Sequence, residues 1–219
     1  MRLLDLFCGQ GGCAVGYYRA GFDEIVGVDI KRQRRYPFQF VQADALEYVR
    51  QHGHEFDMIH ASPPCQVYSV TAPLSNGNHP DLIVPTRAAL QATGKPYVIE
   101  NVEGAPLLEP IMLCGTMFGL RVQRHRLFEI EPKLIWFPPF TCKHNGLSTG
   151  NHRRRSGDTR TPGFKDGYKF ITVAGNNFLF EDAQLAMGID WMSKAGLAQA
   201  VPPAYTEWLG RQMIDIIRQ

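Results

Sequence analysis

The chain has 219 residues and a formal net charge of +2, which is enough for one domain and at most a small appended module. Hydrophobic residues make up 44% and charged residues 20% of it, as in a globular protein, and no apolar run reaches the ~18 residues of a membrane span. The small charge excludes a polycation, and the acid and glycines soon after Met1 argue against a signal peptide. We expect a monomeric cytoplasmic protein without a membrane partner.

Five cysteines stand at positions 8, 13, 65, 114 and 142. An odd number in a chain of this length argues against a disulfide framework and for a reducing compartment. The sequence has no Cys-x-x-Cys pair, and the spacing of Cys142, His144 and His152 is a poor match to a zinc motif. We therefore expect no metal site.

The first 30 residues predict a strand, a glycine-rich turn, a helix and a second strand. Residues 2–7 are apolar and closed by glycines, residues 14–20 have helical composition, and residues 24–29 end in Asp29. Glycines let the backbone approach a ligand at a helix N-terminus, although plain α/β proteins share this turn. Asp29 could accept hydrogen bonds from ribose hydroxyls or cap the segment after it, and both interpretations stay open.

Cys65 follows the end of a predicted strand. Residues 40–44 predict a third strand, which ends in Asp44, and residues 56–61 predict a buried fourth strand. Pro63 and Pro64 then fix φ and remove two backbone donors, so Cys65 lies on a stiff turn. In an open α/β sheet ligands bind at this edge, whereas a free cysteine by itself is more often a small buried hydrophobe.

A polar segment and a second acidic strand end come next. Residues 66–85 predict a loop, either a surface turn or a lid that closes over a site. Residues 87–93 predict a helix, and residues 97–99 predict a buried strand that runs into Glu100. A carboxylate at the end of an apolar strand needs a partner or a function, because burying it bare is costly. An exposed glutamate in a turn is the alternative.

The last third of the chain is basic and then helical. If residues 127–130 are a strand, alternation places Arg124 and Arg126 on one face and a structural His125 on the other. Residues 131–180 carry a net charge of +5, and Arg153–Arg155 lie among turn-forming residues. This basic loop is either a solvated charge run or a contact for nucleic-acid phosphates. Residues 181–187 and 205–218 have helical periodicity.

Four stretches in this order carry a family resemblance: Asp5-Leu6-Phe7-Cys8-Gly9-Gln10-Gly11-Gly12, Ser62-Pro63-Pro64-Cys65-Gln66, Glu100-Asn101-Val102 and Gln123-Arg124-His125-Arg126. With them the sequence resembles the DNA cytosine-5 methyltransferase family, over about residues 1–130 and again near residues 181–210. The chain departs from the family pattern where Gln123 adjoins Arg124 and where Ala198-Gln199 replace a Gly-Asn pair.

The resemblance implies an α/β fold, a doubly wound Rossmann-like S-adenosylmethionine-dependent methyltransferase sheet with a small basic insert. The implied division is a catalytic core in residues 1–130, a short DNA-contacting insert in 131–180 and C-terminal helices completing the core in 181–219. The implied activity is methylation of carbon 5 of cytosine in duplex DNA, at a short target, through a covalent Cys65 adduct on a flipped base. A restriction-modification or phage setting fits it.

The resemblance also implies site residues. Cys65, Glu100, Arg124 and Arg126 would be catalytic. S-adenosyl-L-methionine would contact Phe7, Gly9, Gly11, Gly12, Asp29, Ile30, Asp44, Ala45 and Pro63, and DNA would contact Gln66, Ser69, Arg153, Arg154 and Arg155. Three rivals remain: an RNA cytosine-5 methyltransferase, a catalytically silent DNA-binding protein on the same fold, and a nicotinamide oxidoreductase that shares the first glycine-rich turn.

Overall fold

The computed structural model describes residues 1–64, 81–134, 141–144, 148 and 163–219. Cys65, Gln66, Ser69 and the predicted basic loop at Arg153–Arg155 therefore lie outside the described residues.

The described part of the chain folds around one seven-stranded sheet. In chain order its strands and α-helices are β1 (Arg2–Leu6), α1 (Gly12–Ala20), β2 (Glu24–Asp29), β3 (Gln39–Gln42), α2 (Ala45–His52), β4 (Met58–Ala61), α3 (Ile83–Thr93), β5 (Tyr97–Asn101), β6 (Ile111–Cys114), β7 (His125–Glu131), α4 (Phe180–Met187), α5 (Lys194–Gln199) and α6 (Pro203–Ile217). The strand order is β3-β2-β1-β4-β5-β7-β6. The first five strands are parallel, and β7 runs antiparallel to β5 and β6.

This order confirms the predicted doubly wound α/β sheet. The chain order reverses between β1 and β4, and a ligand crevice opens at such a switch point, at the carboxyl ends of the strands. Helices cover both faces: α1 and α6 pack on one, and α2 and α3 pack on the other. The fully buried strands β4 and β5 are almost continuously apolar for this reason.

Several element boundaries differ from the sequence-based prediction, and two of these differences bear on the predicted loop and site residues. Helix α3 begins at Ile83, so the predicted loop over residues 66–85 is wrong for its last three residues. Pro85 is tolerated there because the first turn of a helix has no intrahelical partner for its N–H groups. Strand β3 ends at Gln42, and Asp44 is the N-cap of α2 instead of the last residue of the strand.

A third apolar cluster joins the end of the basic segment to the C-terminal helices. Val122, Ile171 and Val173 pack with Ala183 and Leu197. Position 180 is the border predicted between the insert and the C-terminal helices, and the cluster contains residues from both sides of it. Each of these segments is short, and a short segment supplies too little apolar surface to form a core alone. Within the described residues, no helix combines the length and apolarity that crossing a membrane requires.

Candidate active site

The carboxyl ends of β1, β2, β4 and β5 meet at one edge of the sheet. The pairing register sets Leu6 beside Val28 and beside Ala61, and Ala61 beside Ile99. The glycine-rich turn, Asp29, the Ser62-Pro63-Pro64 turn and Glu100 consequently emerge from neighbouring strands, although they are far apart in sequence. This edge is the candidate active site.

The turn after β1 is shaped by left-handed backbone. Phe7 has a φ of 56° and Gly9 a φ of 50°, a conformation that is uncommon for a residue with a side chain and that marks ligand sites in many proteins. A Cβ at Gly9 would meet no atom within 4 Å, so the backbone is open on that side. Gly12 differs, because a Cβ there would collide with the carbonyl oxygen of Val201. Gly12 therefore lets α1 pack closely against the chain before α6.

The glycine-rich turn is also held by the C-terminal part of the chain. The Trp191 indole N–H donates to the carbonyl oxygen of Gln10 (2.8 Å), and the Ser193 N–H donates to the Gln10 side-chain oxygen (2.9 Å). The C-terminal part of the chain thus returns to this turn through Trp191 and Ser193.

The carboxylates of Asp29 and Asp44 already hold backbone groups. The Asp29 carboxylate accepts the N–H of Gly9 (3.1 Å) and the N–H of Lys31 (2.8 Å). Asp44 caps α2, with one oxygen accepting the N–H groups of Leu46 and Glu47 at 2.9 Å each. Each carboxylate oxygen can accept two hydrogen bonds, so these contacts orient both acids and leave acceptor capacity.

The turn that leads to Cys65 is anchored on both sides. The Ser62 N–H donates to the carbonyl oxygen of Leu6 (3.1 Å), which continues the ladder between β4 and β1. The side-chain amide of Asn101 donates to the carbonyl oxygen of Pro63 (2.9 Å). Pro63 has no N–H to donate, so its carbonyl oxygen is the backbone group through which it can be held. The bond from Asn101 therefore fixes the chain two residues before Cys65.

Glu100 is a buried carboxyl with an arginine partner. Its exposed fraction is 6%, and one carboxylate oxygen lies 3.0 Å from Nε of Arg126, which projects from the neighbouring strand β7. Burial raises the pKa of Glu100 above its ordinary value, although Arg126 and a hydrogen bond from Ser62 oppose the rise. This environment favours a protonated carboxyl at the candidate site.

Two residues that the sequence did not single out, Tyr17 and His60, connect Glu100 to the core through Ser62. The Tyr17 hydroxyl lies 3.1 Å from Nδ1 of His60, and Nε2 of His60 lies 3.0 Å from the hydroxyl of Ser62, which bonds Glu100. Burial lowers the pKa of His60 to about 3, so its ring is neutral. With Nδ1 accepting from Tyr17, Nε2 donates to Ser62 and Ser62 donates to Glu100. The sequence signal that could have indicated this network is His60, a histidine inside the apolar run of β4.

The two arginines have different partners. The Arg124 guanidinium is buried and donates to the carbonyl oxygens of Val173 and Ala198, so it joins the start of β7 to the C-terminal elements. The Arg124 carbonyl oxygen accepts the hydroxyl of Tyr205 at 2.6 Å. Both Arg124 and Arg126 lower the pKa of Glu100 electrostatically, but of the two only Arg126 forms an ion pair with it in the described structure.

Asp5 is a second buried acid below the glycine-rich turn. Burial raises its pKa to about 7; the hydroxyl of Tyr36, which donates to it at 3.0 Å, opposes this rise, and the nearby charge of Asp29 adds to it. Folded Asp5 therefore stays protonated at pH values where the unfolded chain has already ionised it.

Replacing Asp5 with asparagine is expected to stabilise the protein at high pH. Because the folded-state pKa is raised, wild-type stability falls as pH rises from about 4 to about 7, the window between the unfolded and folded values. Asp5→Asn should raise the free energy of unfolding at pH 8 by on the order of 1 to 4 kcal/mol and by clearly less at pH 5. Urea titrations of both proteins at the two pH values measure this. If the free energies of unfolding of the two proteins differ by the same amount at pH 5 and pH 8, the raised pKa of Asp5 is contradicted.

Comparison with solved structures places this fold. A DNA modification methyltransferase encoded within a prophage (E. coli) superposes with a TM-score of 0.68 and 16% identity, covering 100% of both chains. The S. pombe Dnmt2 methyltransferase gives a TM-score of 0.63 and 13% identity over 99% of both chains. The sheet order, the glycine-rich turn and these similarities define the fold as that of the Rossmann-like S-adenosylmethionine-dependent methyltransferases.

Sequence comparison points to one family. Residues 1–106, just under half of the chain, match the model of the C-5 cytosine-specific DNA methylases. It is 31% identical to the type II methyltransferase M.FnuDI of Fusobacterium nucleatum over 113 residues, which are 48% of this chain and 33% of that protein. It is 31% identical to M.HgiDI of Herpetosiphon aurantiacus over 133 residues, 54% of this chain and 42% of the relative. The chain thus spans less than half the length of these curated relatives.

Proposed function

We propose that the protein transfers a methyl group from S-adenosyl-L-methionine to carbon 5 of cytosine in duplex DNA. The observation that carries this proposal is the buried Glu100–Arg126 pair, which lies at the same strand edge as the anchored turn before Cys65. Transfer to a ring carbon needs a nucleophile and an acid directed at one heterocycle. The match of residues 1–106 to the C-5 cytosine-specific DNA methylase model supports the choice of cytosine and DNA.

The residues at the ends of β1, β2 and β3 fit the cofactor. The open side of Gly9 gives room for a ligand to approach the backbone. The carboxylate oxygens of Asp29 and Asp44 can accept hydrogen bonds from ribose hydroxyls. The exposed side chain of Ile30 (64%) offers an apolar surface for a purine. Phe7, Gly11, Ala45 and Pro63 are proposed to complete this region, and Gly12 supports it through packing against Val201. S-adenosyl-L-methionine would supply an electrophilic methyl group here.

Cys65 is proposed as the nucleophile. Carbon 5 of cytosine is a poor nucleophile within an aromatic ring, and addition of the Cys65 thiolate to carbon 6 removes the aromaticity and makes carbon 5 enamine-like. After carbon 5 has gained the methyl group, a base removes the carbon-5 proton, and the electron pair of that bond expels the Cys65 thiolate. The anchoring of Pro63 by Asn101 supports this role, because it restricts where the next residues can go.

Glu100 is proposed as the acid at ring nitrogen N3. Thiolate addition places negative charge on the pyrimidine, and a protonated Glu100 donates its proton to N3 and recovers it when Cys65 leaves. Ser62 and His60 hold the carboxyl in one orientation. Arg126 is proposed to contact the O2 edge of the base, and Arg124 to position β7 through its carbonyl partners.

This chemistry requires an unstacked base. An enzyme reaches a ring carbon of a duplex base by flipping the nucleotide out, at a cost of a few kcal/mol. Gln66 and Ser69, immediately after Cys65, are proposed to contact the DNA around the flipped base, and Arg153, Arg154 and Arg155 are proposed to bind phosphates.

The direct test is incubation of the protein with labelled S-adenosyl-L-methionine and either duplex DNA or single-stranded RNA, followed by nucleoside analysis. We expect label in 5-methyldeoxycytidine from DNA. Equal or greater label in RNA would favour the RNA enzyme. No label in either substrate, with intact cofactor binding, would favour a silent binding protein.

Replacing Asp29 with alanine tests the cofactor assignment. We expect affinity for S-adenosyl-L-methionine to fall by about 1 to 3 kcal/mol, because ribose donors lose a charged acceptor and the N–H of Gly9 loses its partner. DNA affinity should change little. Calorimetric titration measures the first effect. Unchanged cofactor affinity would mean that Asp29 only holds the glycine-rich turn and does not contact the cofactor.

The basic loop is proposed to give a short target and salt-dependent binding. A short insert rich in turn residues supports few base-edge contacts, each of which gives about 1 to 3 kcal/mol of discrimination, so we expect a target of about two to three base pairs. Replacing Arg153, Arg154 and Arg155 together with alanine should weaken binding to all DNA sequences alike and flatten the salt slope by roughly 2 to 3 units. Fluorescence anisotropy at several salt concentrations measures both effects. A target of five or more base pairs in bisulfite sequencing would contradict this proposal.

A further inference from the structure

Four side chains that the proposed reaction does not use converge at one end of the β6–β7 pair. They are Cys114, His125, Cys142 and His144, and their ligand atoms all lie within 4.8 Å of one another. Nε2 of His144 lies 3.1 Å from Sγ of Cys114 and 3.4 Å from Nε2 of His125. Sγ of Cys142 lies 3.5 Å from Nε2 of His125.

We propose that these four side chains bind one zinc ion in a tetrahedral Cys2His2 site. In such a site, Zn–S bonds of about 2.3 Å and Zn–N bonds of about 2.0 to 2.1 Å place the ligand atoms about 3.3 to 3.8 Å from one another. Three of the six separations, 3.1, 3.4 and 3.5 Å, lie in or next to this range, and all six are within 4.8 Å. The ligand atoms therefore need to approach one another by about 1 Å at most to accept the ion.

The backs of both imidazoles are held as ligand histidines require. Nδ1 of His125 lies 3.2 Å from a carboxylate oxygen of Glu103, and Nδ1 of His144 lies 3.1 Å from the side-chain amide of Gln123. With the amide oxygen turned toward His144, each Nδ1–H donates and each Nε2 presents its lone pair to the centre. Carboxylate or amide acceptors behind ligand histidines are the usual outer shell of zinc sites.

The donor set selects the kind of metal. Two thiolates and two neutral imidazoles suit zinc and other soft or borderline ions, whereas magnesium and calcium take oxygen ligands. Four protein ligands leave no open position for water or substrate, so the site is structural and not catalytic. The ion would compensate the charge of two thiolates at a partly buried position.

The fold explains why spacing along the chain did not predict this site. Cys114 and His125 are directly paired residues of the antiparallel strands β6 and β7, although ten residues separate them. Cys142 and His144 come from a segment in which Thr141 and Lys143 are exposed while the two ligands face inward. The sequence-based expectation of no metal considered Cys142, His144 and His152 alone and missed the two strand ligands.

A metal at this position would connect the basic segment to the sheet. The Lys143 N–H donates to the hydroxyl of Thr116 (3.1 Å), which also lies 3.4 Å from Sγ of Cys114. Zinc would strengthen this attachment, and it would fix His125 between Arg124 and Arg126 on β7. The proposal rests on the cluster geometry and not on the proposed enzymatic activity.

Metal content of the full-length protein, purified without chelators from zinc-supplemented cultures, is the first test. Inductively coupled plasma mass spectrometry should find about one zinc per chain. Replacement of zinc by Co²⁺ should give intense visible d–d bands of a tetrahedral ion together with thiolate-to-cobalt charge-transfer absorption in the near ultraviolet. Both readouts are independent of methyl transfer, so failure of the proposed function would not affect them.

Matched variants locate the ion. Cys142→Ala and His144→Ala should each reduce zinc content to below about a tenth of wild type after competition with a chelator. Lys143→Ala, the exposed residue between them, should keep full zinc content. Glu103→Ala, which removes only the acceptor behind His125, should retain the site but weaken zinc affinity by about 10- to 100-fold.

Several results would overturn the proposal. One is a wild-type protein that holds no stoichiometric transition metal and gives no thiolate–cobalt absorption. A disulfide between Cys114 and Cys142 in freshly purified, unreduced protein, detected by peptide mass spectrometry, is another. Loss of zinc from Lys143→Ala to the same extent as from Cys142→Ala would also count against it. The wild-type measurements decide the matter even if a ligand variant fails to fold.

Discussion

Replacing Cys65 with alanine is expected to lower methyl transfer by on the order of 1,000-fold or more, because it removes the thiolate that is proposed to add to carbon 6 of the base and activate carbon 5. Cofactor binding and the free energy of unfolding should stay near wild type, since the residues proposed to hold the cofactor come from β1, β2, β3 and the turn up to Pro63. Transfer of labelled methyl groups to duplex DNA measures the loss, and calorimetry measures cofactor affinity. Residual turnover of more than a few per cent would exclude the covalent mechanism.

DNA carrying 5-fluorocytosine provides the complementary test of Cys65. Fluorine cannot leave carbon 5 as a cation, so the adduct should accumulate and remain on a denaturing gel. Peptide mass spectrometry should then locate the DNA on Cys65 and not on Cys8, Cys13 or Cys114, which are buried. Burial also raises the pKa of the Cys13 thiol, which makes it a poor nucleophile. A trapped species on any of these three residues would contradict the assignment.

Replacing Glu100 with glutamine is expected to lower the turnover number by about 100- to 10,000-fold, the usual contribution of a positioned general acid. Glutamine has nearly the same shape and its side-chain oxygen can still accept from Nε of Arg126, so the fold should persist. Wild-type turnover should fall as pH rises through the raised pKa of Glu100, because only the protonated carboxyl can supply the proton. The Glu100→Gln variant should lack this decline. Single-turnover rates across pH measure both effects.

Glu129 offers a matched control for Glu100. It is also a buried glutamate with an arginine partner, since Arg87 contacts both of its oxygens at 2.7 and 2.6 Å. Glu129 lies on β7 and also accepts the N–H of Leu108 (2.8 Å), away from the proposed reaction. Glu129→Gln should cost about 1 to 3 kcal/mol of stability and leave turnover per folded molecule within a factor of about three. If both variants lose activity equally, Glu100 acts through stability and not as an acid.

The sequence by itself determined most strands of the sheet and the places of several candidate site residues at the strand ends. Apolar runs of strand length that end in glycine or acid predicted β1, β2 and β5 within about two residues, because parallel strands buried on both faces leave a continuous apolar signal. The Pro-Pro pair predicted a stiff turn, and the structure shows Pro63 held by Asn101. The predicted burial of Glu100 is confirmed.

Tertiary structure decided which side chains meet. Ser62 meets Glu100 because β4 pairs with β5, and Tyr17 meets His60 because α1 packs on β4. No local pattern records that packing. The four residues of the proposed zinc site come together because β6 and β7 pair in one register and the segment at 141–144 returns to them. Local propensity acts over a few residues along the chain, whereas most of these contacts join residues 11 to 43 positions apart. Only the burial of a common core brings such residues together.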